Sequence, residues 1–162
     1  MIRPMRPADK PAVMALIRET EMFNPAEIDV AEELIDRYLS VPGQKDYQVI
    51  VAETPEKHVA GYLCYGPTDL TEGTFDLYWM AVSPDLQGKG HGKALMEWLE
   101  WEVKREKGRM IIIETSSVAK YKPTRRFYLA MGCREVARIP DFYKPGDDRV
   151  IYVKRFDKQG AF

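Results

Sequence analysis

Within the six positions Gln87-Gly88-Lys89-Gly90-His91-Gly92 the chain carries three glycines and a lysine, and a second lysine, Lys93, follows directly. Glycines let the backbone bend with few steric limits and let a ligand approach the main-chain amides. Residues 90–106 then show helical periodicity, with Ala94, Leu95, Trp98, Leu99 and Val103 on one face. A helix N-terminus has free N–H groups and about half a positive charge. Glycines placed before it make an anion site, most often for phosphate. Lys89 and Lys93 add formal charge. The alternative is a glycine-rich turn that holds nothing.

Spacing narrows the choice of phosphate site. A Walker A loop has four residues between its first glycine and Gly-Lys, then Ser or Thr. Here three residues separate Gly88 from Gly92-Lys93, and Ala94 follows, so no hydroxyl is offered to magnesium. The dinucleotide fingerprint is GxGxxG, whereas this loop reads GxGxG. The pattern that fits is Gln-x-x-Gly-x-Gly, filled by Gln87, Gly90 and Gly92, after a run ending Met80-Ala81-Val82. It resembles the pyrophosphate loop of the GNAT acetyltransferase superfamily, which binds acetyl-CoA.

Around the loop, residues 75–82 read as an aromatic and aliphatic strand stopped by Ser83-Pro84-Asp85. Residues 1–5 read as a first strand. Asp9 is placed as the N-cap of a helix carrying Ala12, Val13, Leu16 and Ile17. Asn24-Pro25 opens a second helix, with Ile28, Ala31, Leu34, Ile35 and Tyr38 as its apolar stripe. Residues 47–53 and 58–66 read as a hairpin pair. In the third helix Lys93, Glu97, Glu100 and Lys104 fall on the solvent face, Glu100 and Lys104 are spaced as an i,i+4 pair, and Gly108 closes the helix. Residues 110–115 form an apolar run suited to a strand buried on both faces and parallel to 75–82. Pro123 starts a fourth helix that ends at Met131-Gly132. Residues 133–139 and 149–155 read as closing strands joined by a loop over 140–148, and 158–162 as a frayed tail.

Composition bounds the function. The 162 residues suit one domain with a sizeable core, here 1–157. Apolar content is 45%, charged content 30%, and net charge −1, which gives no electrostatic case for nucleic acid or a membrane surface. No apolar run approaches the ~20 residues of a membrane span, and the N-terminus has no signal-peptide core, so the expected location is the cytoplasm. Cys64 and Cys133 do not make a disulfide framework and read as buried or half-buried thiols. Two scattered histidines and two distant cysteines support no metal site.

The resemblance extends over nearly the whole chain. Arg126-Phe-Tyr-Leu-Ala-Met-Gly132 matches the superfamily's Phe/Leu-Tyr-x-x-x-Gly signature, and 141–153 looks like its Tyr…Asp-Asp closing hairpin. It implies an α/β fold with a mixed, mostly antiparallel sheet, about seven strands and four helices, the strands 75–82 and 110–115 being parallel and splayed. It implies that Met80, Ala81 and Val82 offer backbone groups to the pantetheine arm. By the same likeness Gln87, Gly88, Lys89, Gly90, His91, Gly92 and Lys93 cradle the pyrophosphate, and Thr124 and Tyr128 lie against the cofactor. Lys120 and Arg125 are within reach of the adenine-ribose phosphates. Many members carry Asn and Ala where this chain has Tyr121 and Thr124, so contacts in that segment are its own.

Acetyl transfer from a thioester to an amine needs a neutral amine, a donor for the oxyanion and a proton for the leaving thiolate. A lysine-like amine, with a pKa near 10.4, is neutral in roughly one molecule of 2,500 at pH 7, equivalent to about 4–5 kcal/mol. Tyr128 matches the tyrosine kept near the CoA sulfur, and its alternative is a core aromatic. Two carboxylates compete as base, Asp76 and Glu114, each matching a glutamate of one branch of the superfamily. Glu114 is favoured because its apolar strand would desolvate it; the alternative for each is a structural carboxylate. Phe23, Tyr38, Phe142 and Tyr143 beside acidic residues suggest a cationic or aromatic acceptor. The expected enzyme is a cytoplasmic N-acetyltransferase, monomer or homodimer. It uses acetyl-CoA and no metal, and acts on a primary amine of a small molecule or peptide. An acyl-CoA-binding sensor without turnover is the competing reading.

Overall fold

The apolar run before the glycine loop becomes a central strand, because its alternating side chains have partners on either side. A computed structural model describes residues 1–157; the tail expected at 158–162 lies outside the described residues. The strands are β1 Ile2–Pro4, β2 Gln48–Glu53, β3 Val59–Pro67, β4 Thr74–Val82, β5 Met110–Ser116, β6 Arg134–Lys144 and β7 Asp147–Arg155. They form a seven-stranded sheet in the order β1-β2-β3-β4-β5-β7-β6. The α-helices are α1 Lys10–Glu19, α2 Pro25–Ser40, α3 His91–Arg105 and α4 Lys122–Ala130. β4 and β5 are parallel, from Thr74↔Met110 to Leu77↔Ile113, while the ladders β1–β2, β2–β3, β5–β7 and β6–β7 are antiparallel. The mixed, mostly antiparallel sheet is the one expected. The chain forms two compact units, one of residues 1–67 and 78–99, the other of residues 68–77 and Glu100 onwards.

In the first unit, period sets which face meets which. Val13, Leu16 and Ile17 of α1 and Ala31 and Ile35 of α2 recur at helical spacing, and they bury against Val49, Val51, Tyr62 and Cys64, which alternate on β2 and β3. The opposite face of β3 takes α3: Leu95 approaches Gly61, and Tyr65 meets Trp98 edge-on at 6.1 Å. Asn24 caps α2 as expected, its side chain accepting from the Glu27 N–H at 2.8 Å.

Asp9 does not cap α1. Its carboxylate accepts from the Arg6 N–H at 2.7 Å, across a 3-10 turn over Pro7–Asp9, and from the Arg3 guanidinium. Arg3 also reaches Glu53 at 2.6 Å, and all three side chains are nearly buried. The Arg3 guanidinium holds the Asp9 carboxyl below its ordinary range, against the opposing effect of burial. This stabilisation is complete above the ordinary aspartate pKa, near 3.9, and is lost as pH falls through the depressed folded value. Arg3→Met strands two carboxylates in a poorly solvated place. We expect it to cost about 3 kcal/mol in urea unfolding at pH 7, with the loss shrinking toward pH 3.

The second unit corrects three expectations. β5 is not buried on both faces: Ile111, Ile113 and Thr115 are buried, but Met110 and Ile112 are half-open and Glu114 is exposed. A sheet strand with helices on one side shows this alternation even when its residues are nearly all apolar. Glu100 does not pair with Lys104; it turns inward to Lys154 at 3.2 Å, and Lys104 lies over the Phe156 ring. β6 runs on through Pro140 to Lys144, leaving a short turn at Pro145-Gly146 instead of a long loop. Proline is tolerated there because β6 is an edge strand and need not donate on its open side.

Candidate functional site

The glycine loop belongs to the first unit. After Val82 the chain is turned by the Ser83 N–H, which donates to the Ala60 carbonyl at 2.8 Å, and by a 3-10 turn over Pro84–Leu86. The Gln87 side chain reaches back and donates to the Val82 carbonyl at 3.2 Å, so it ties the loop to the strand end. Gly88 and Gly90 have φ of +74° and +88°. A Cβ on either would meet nothing within 4 Å, so backbone conformation, not crowding, demands glycine there. The Ala94 N–H bonds the Gly90 carbonyl at 2.9 Å, which starts α3 at His91 and leaves the preceding amides without helical acceptors. Lys89 is exposed, Lys93 is exposed beside Glu97, and His91 and Gly92 are half-buried in the first turn. This open, amide-lined N-terminus fits a pyrophosphate. On β4, Met80 and Val82 are half-buried and Ala81 is buried, its carbonyl facing Gly61.

The two carboxylates belong to the second unit, and the ladder registers place them. Asp76 is opposite Ile112, and Glu114 lies two residues further along β5, so both are on one sheet face. Arg149 is opposite Ser116 on β7 and joins the same face. Asp76 is half-buried and accepts a hydrogen bond from the Thr68 hydroxyl at 2.6 Å. Burial raises the Asp76 carboxyl above its ordinary value; the Thr68 hydrogen bond opposes this, Glu114 and Asp69 raise it further, and Arg149 lowers it. Glu114 is ion-paired with Arg149, whose guanidinium stacks 4.6 Å from the Phe142 ring centre. The desolvation expected of Glu114 is therefore absent, since its side chain points to the open face. Thr68 and Arg149 were not among the sequence candidates. The three residues after Arg149 (Val150, Ile151 and Tyr152) are all apolar, so the sequence shows neither the face of Arg149 nor its partner 35 positions away.

Tyr128 is on the other face. It is buried on α4, with Phe127 at 5.6 Å and Tyr152 at 6.0 Å between ring centres, and Tyr152 is opposite buried Ile113. Burial pushes its phenol well above the usual tyrosine range, so it stays protonated. The structure does not bring Tyr128 beside the carboxylates; the sheet of the second unit separates them. Thr124 is half-buried in the first turn of α4 and Lys120 is exposed. Arg125 is committed to the protein, donating to the Ser116 and Val118 carbonyls at 2.9 Å each. Of the acceptor-side aromatics, Phe23 meets Trp79 edge-on at 5.2 Å, Tyr38 donates to the Met5 carbonyl, and Phe142 packs on Tyr143.

The family model for the acetyltransferase (GNAT) domain matches residues 45–135, more than half of the chain. The chain belongs to the GNAT acetyltransferase family. A solved GNAT-family acetyltransferase from Desulfovibrio desulfuricans is 41% identical, with a TM-score of 0.91 over 96% of this chain and 98% of that one. An uncharacterized N-acetyltransferase of Methanocaldococcus jannaschii is 29% identical over 100 residues, and the match spans 60% of its length. An aminoglycoside 6′-N-acetyltransferase solved with coenzyme A shares the fold, at 17% identity and a TM-score of 0.76 over 99% of both chains. Among the described residues, no helix is long and apolar enough to cross a membrane, and no three His, Cys, Asp or Glu side chains are placed to share a metal ion.

Proposed function

We propose that residues 1–157 act as one catalytic domain that moves an acetyl group from acetyl-CoA directly to a primary amine of a small molecule or peptide. The observation that carries this is the pair of open, left-handed glycines at the start of α3, directly after β4. Acetyl-CoA supplies an activated thioester. Residues 87–93 hold its pyrophosphate through main-chain amides, the positive end of α3 and the Lys89 and Lys93 charges. The backbone about Val82 orients the acyl carbonyl.

Proton handling divides by sheet face. A carboxylate of the Asp76–Glu114 face takes the ammonium proton, and Tyr128 on the opposite face lends one to the departing sulfur. A covalent cysteine route is disfavoured. Cys64 and Cys133 are buried, and burial pushes their thiols up to about 12 and about 11, so neither offers a thiolate near pH 7.

CoA release from acetyl-CoA, followed by thiol detection against amines, amino acids, polyamines and short peptides, tests the proposal. Turnover is expected with one acceptor class, and Tyr128→Phe should lower kcat by about 100-fold while leaving acetyl-CoA affinity within a few-fold. Tight acetyl-CoA binding with no turnover on any acceptor would make the chain a sensor module and overturn it.

A further inference from the structure

We propose that Lys154 is a positioning residue for Tyr128: its ammonium, held between the end of α4 and a carboxylate of α3, fixes where the phenol stands. The inference rests on the leaving-group role given to Tyr128 above and names the contact that keeps it in place.

Helix α4 is short and has little packing of its own. Among its nine residues, all of them described, Tyr128 is the one that is buried; Phe127 is half-buried and Leu129 exposed. A helix of that length is marginal without outside contacts. Arg125 ties its N-terminal half by donating to the Ser116 and Val118 carbonyls. At the other end the chain turns sharply. Gly132 takes a φ of +82°, its N–H bonds the Leu129 carbonyl, and the Cys133 N–H bonds the Tyr128 carbonyl, at 3.0 Å each. This glycine stop serves the carbonyls of Tyr128 and Leu129 and leaves that of Met131 to an outside donor. Lys154 is that donor. Its ammonium hydrogen-bonds the Met131 carbonyl, at the negative end of the helix.

Strand β7 holds α4 with two side chains of one face. Tyr152 is opposite Ile113 and lies against the Tyr128 ring, and Lys154 is opposite Ile111, which is wholly buried. A cation thus stands in an otherwise apolar row, with its side chain only 21% exposed. Glu100 of α3 meets its charge at 3.2 Å. The Glu100 Oε1 atom is buried and makes no aligned hydrogen bond, so the ammonium is what compensates it. Gly132 leaves the space the ammonium occupies, since a Cβ there would stand 2.9 Å from Nζ. Burying such a pair costs desolvation, and apolar residues of like size commonly serve stability as well or better. What the pair adds is direction. An ammonium that must reach one carbonyl and one carboxylate together sets the place of the last turn of α4, and Tyr128 lies within one turn of Met131. A misplacement of about 1 Å is enough to cost a reaction about 100-fold.

The test is a double-mutant cycle on kcat, with acetyl-CoA and the acceptor class found by CoA release. Lys154→Met keeps the unbranched stem and removes the ammonium. It should lower kcat by about 10-fold or more and leave the KM for acetyl-CoA within about 3-fold. In a Tyr128→Phe background the same change should cost under about 2-fold, because the hydroxyl it places is gone. Lys154→Arg, which keeps the charge and a donor, should recover at least part of the loss. Glu100→Gln combined with Lys154→Met leaves no charge unpaired and replaces the single variant if that does not fold. Equal losses in both backgrounds would make Lys154 a residue of the fold alone and overturn the inference, as would an unchanged kcat in Lys154→Met. Absence of wild-type turnover, or a wild-type kcat in Tyr128→Phe, is instead the failure of the reading beneath. Fluorine NMR of fluorotyrosine-labelled protein, which needs no acceptor, then decides by itself. The resonance assigned with Tyr128→Phe should shift or split in Lys154→Met and return toward its place in Lys154→Arg; an unmoved resonance overturns the inference.

Discussion

Replacing Gly88 and Gly90 together by valine is expected to weaken acetyl-CoA binding about 100-fold, or about 2.7 kcal/mol. Both glycines hold φ near +80°, in a region that β-branched residues avoid. The double variant has room for its new side chains but must move its backbone to accept them, and the amides turn with it. The loop is exposed and distant in sequence from the buried stripes of α1 and α2, so the melting temperature should fall by only a few degrees. Calorimetric titration of the folded variant with acetyl-CoA is the measurement. Affinity within three-fold of wild type would remove the loop from the cofactor site. Lys89→Ala gives the scale for charge alone: exposed and flexible, it should cost only a few-fold.

Gly66→Ala should produce the largest loss of stability. A Cβ at Gly66 would lie 1.9 Å from the Asp46 main-chain oxygen and 3.0 Å from its carbonyl carbon. The obstacle is backbone, so no rotamer change relieves it. Either β3 or the segment entering β2 must shift, and that segment is braced by the Gln44 side chain, which accepts from the Tyr47 N–H at 3.0 Å and donates to the Tyr47 carbonyl at 2.6 Å. We expect a loss of about 3 kcal/mol or more, which lowers the melting point by about 6–12 °C for a chain of this size. A fall of less than about 2 °C would mean that the segment around Asp46 yields easily.

What could be read in advance follows from the range of the forces involved. The glycine loop, the Asn24 cap and the apolar stripe of α2 are local: each depends on residues within one or two turns, and each appears where the sequence places it, while on α1 the stripe is shifted, with Ala12 exposed and Met14 buried beside Val13, Leu16 and Ile17. Lys107, not Gly108, takes the left-handed conformation after α3; Gly108 is instead crowded by Val103 and Phe75, and only the fold shows that contact. The exposure of Glu114 is not legible in the sequence, because four hydrophobic residues before it hide which face it occupies. Alternation along β5 answers that, but only once Ile111 and Ile113 are known to point inward. Arg149 and Thr68 act through partners 35 and 8 positions away, and the first contact is created by an antiparallel ladder that no local pattern encodes. Asp147 and Asp148, noted only as a closing motif, have structural work: Asp147 accepts from the Ser116 hydroxyl, and Asp148 accepts from the Asp141 N–H at 3.0 Å.

Strand β6 has a consequence for how the protein behaves in a crowded solution. All eleven of its residues are exposed, among them Val136, Ile139, Phe142 and Tyr143. An open edge of that length and hydrophobicity would ordinarily template another strand and seed aggregation. Here Pro140 removes one donor from the edge, Asp141 takes a φ of +54°, and the register against β7 shifts between Ile139 and Lys144. The straight stretch before the kink carries Arg134, Glu135 and Arg138, which a second copy would have to desolvate. The edge is thus divided into short, charged pieces, an arrangement that disfavours strand-by-strand addition of further copies.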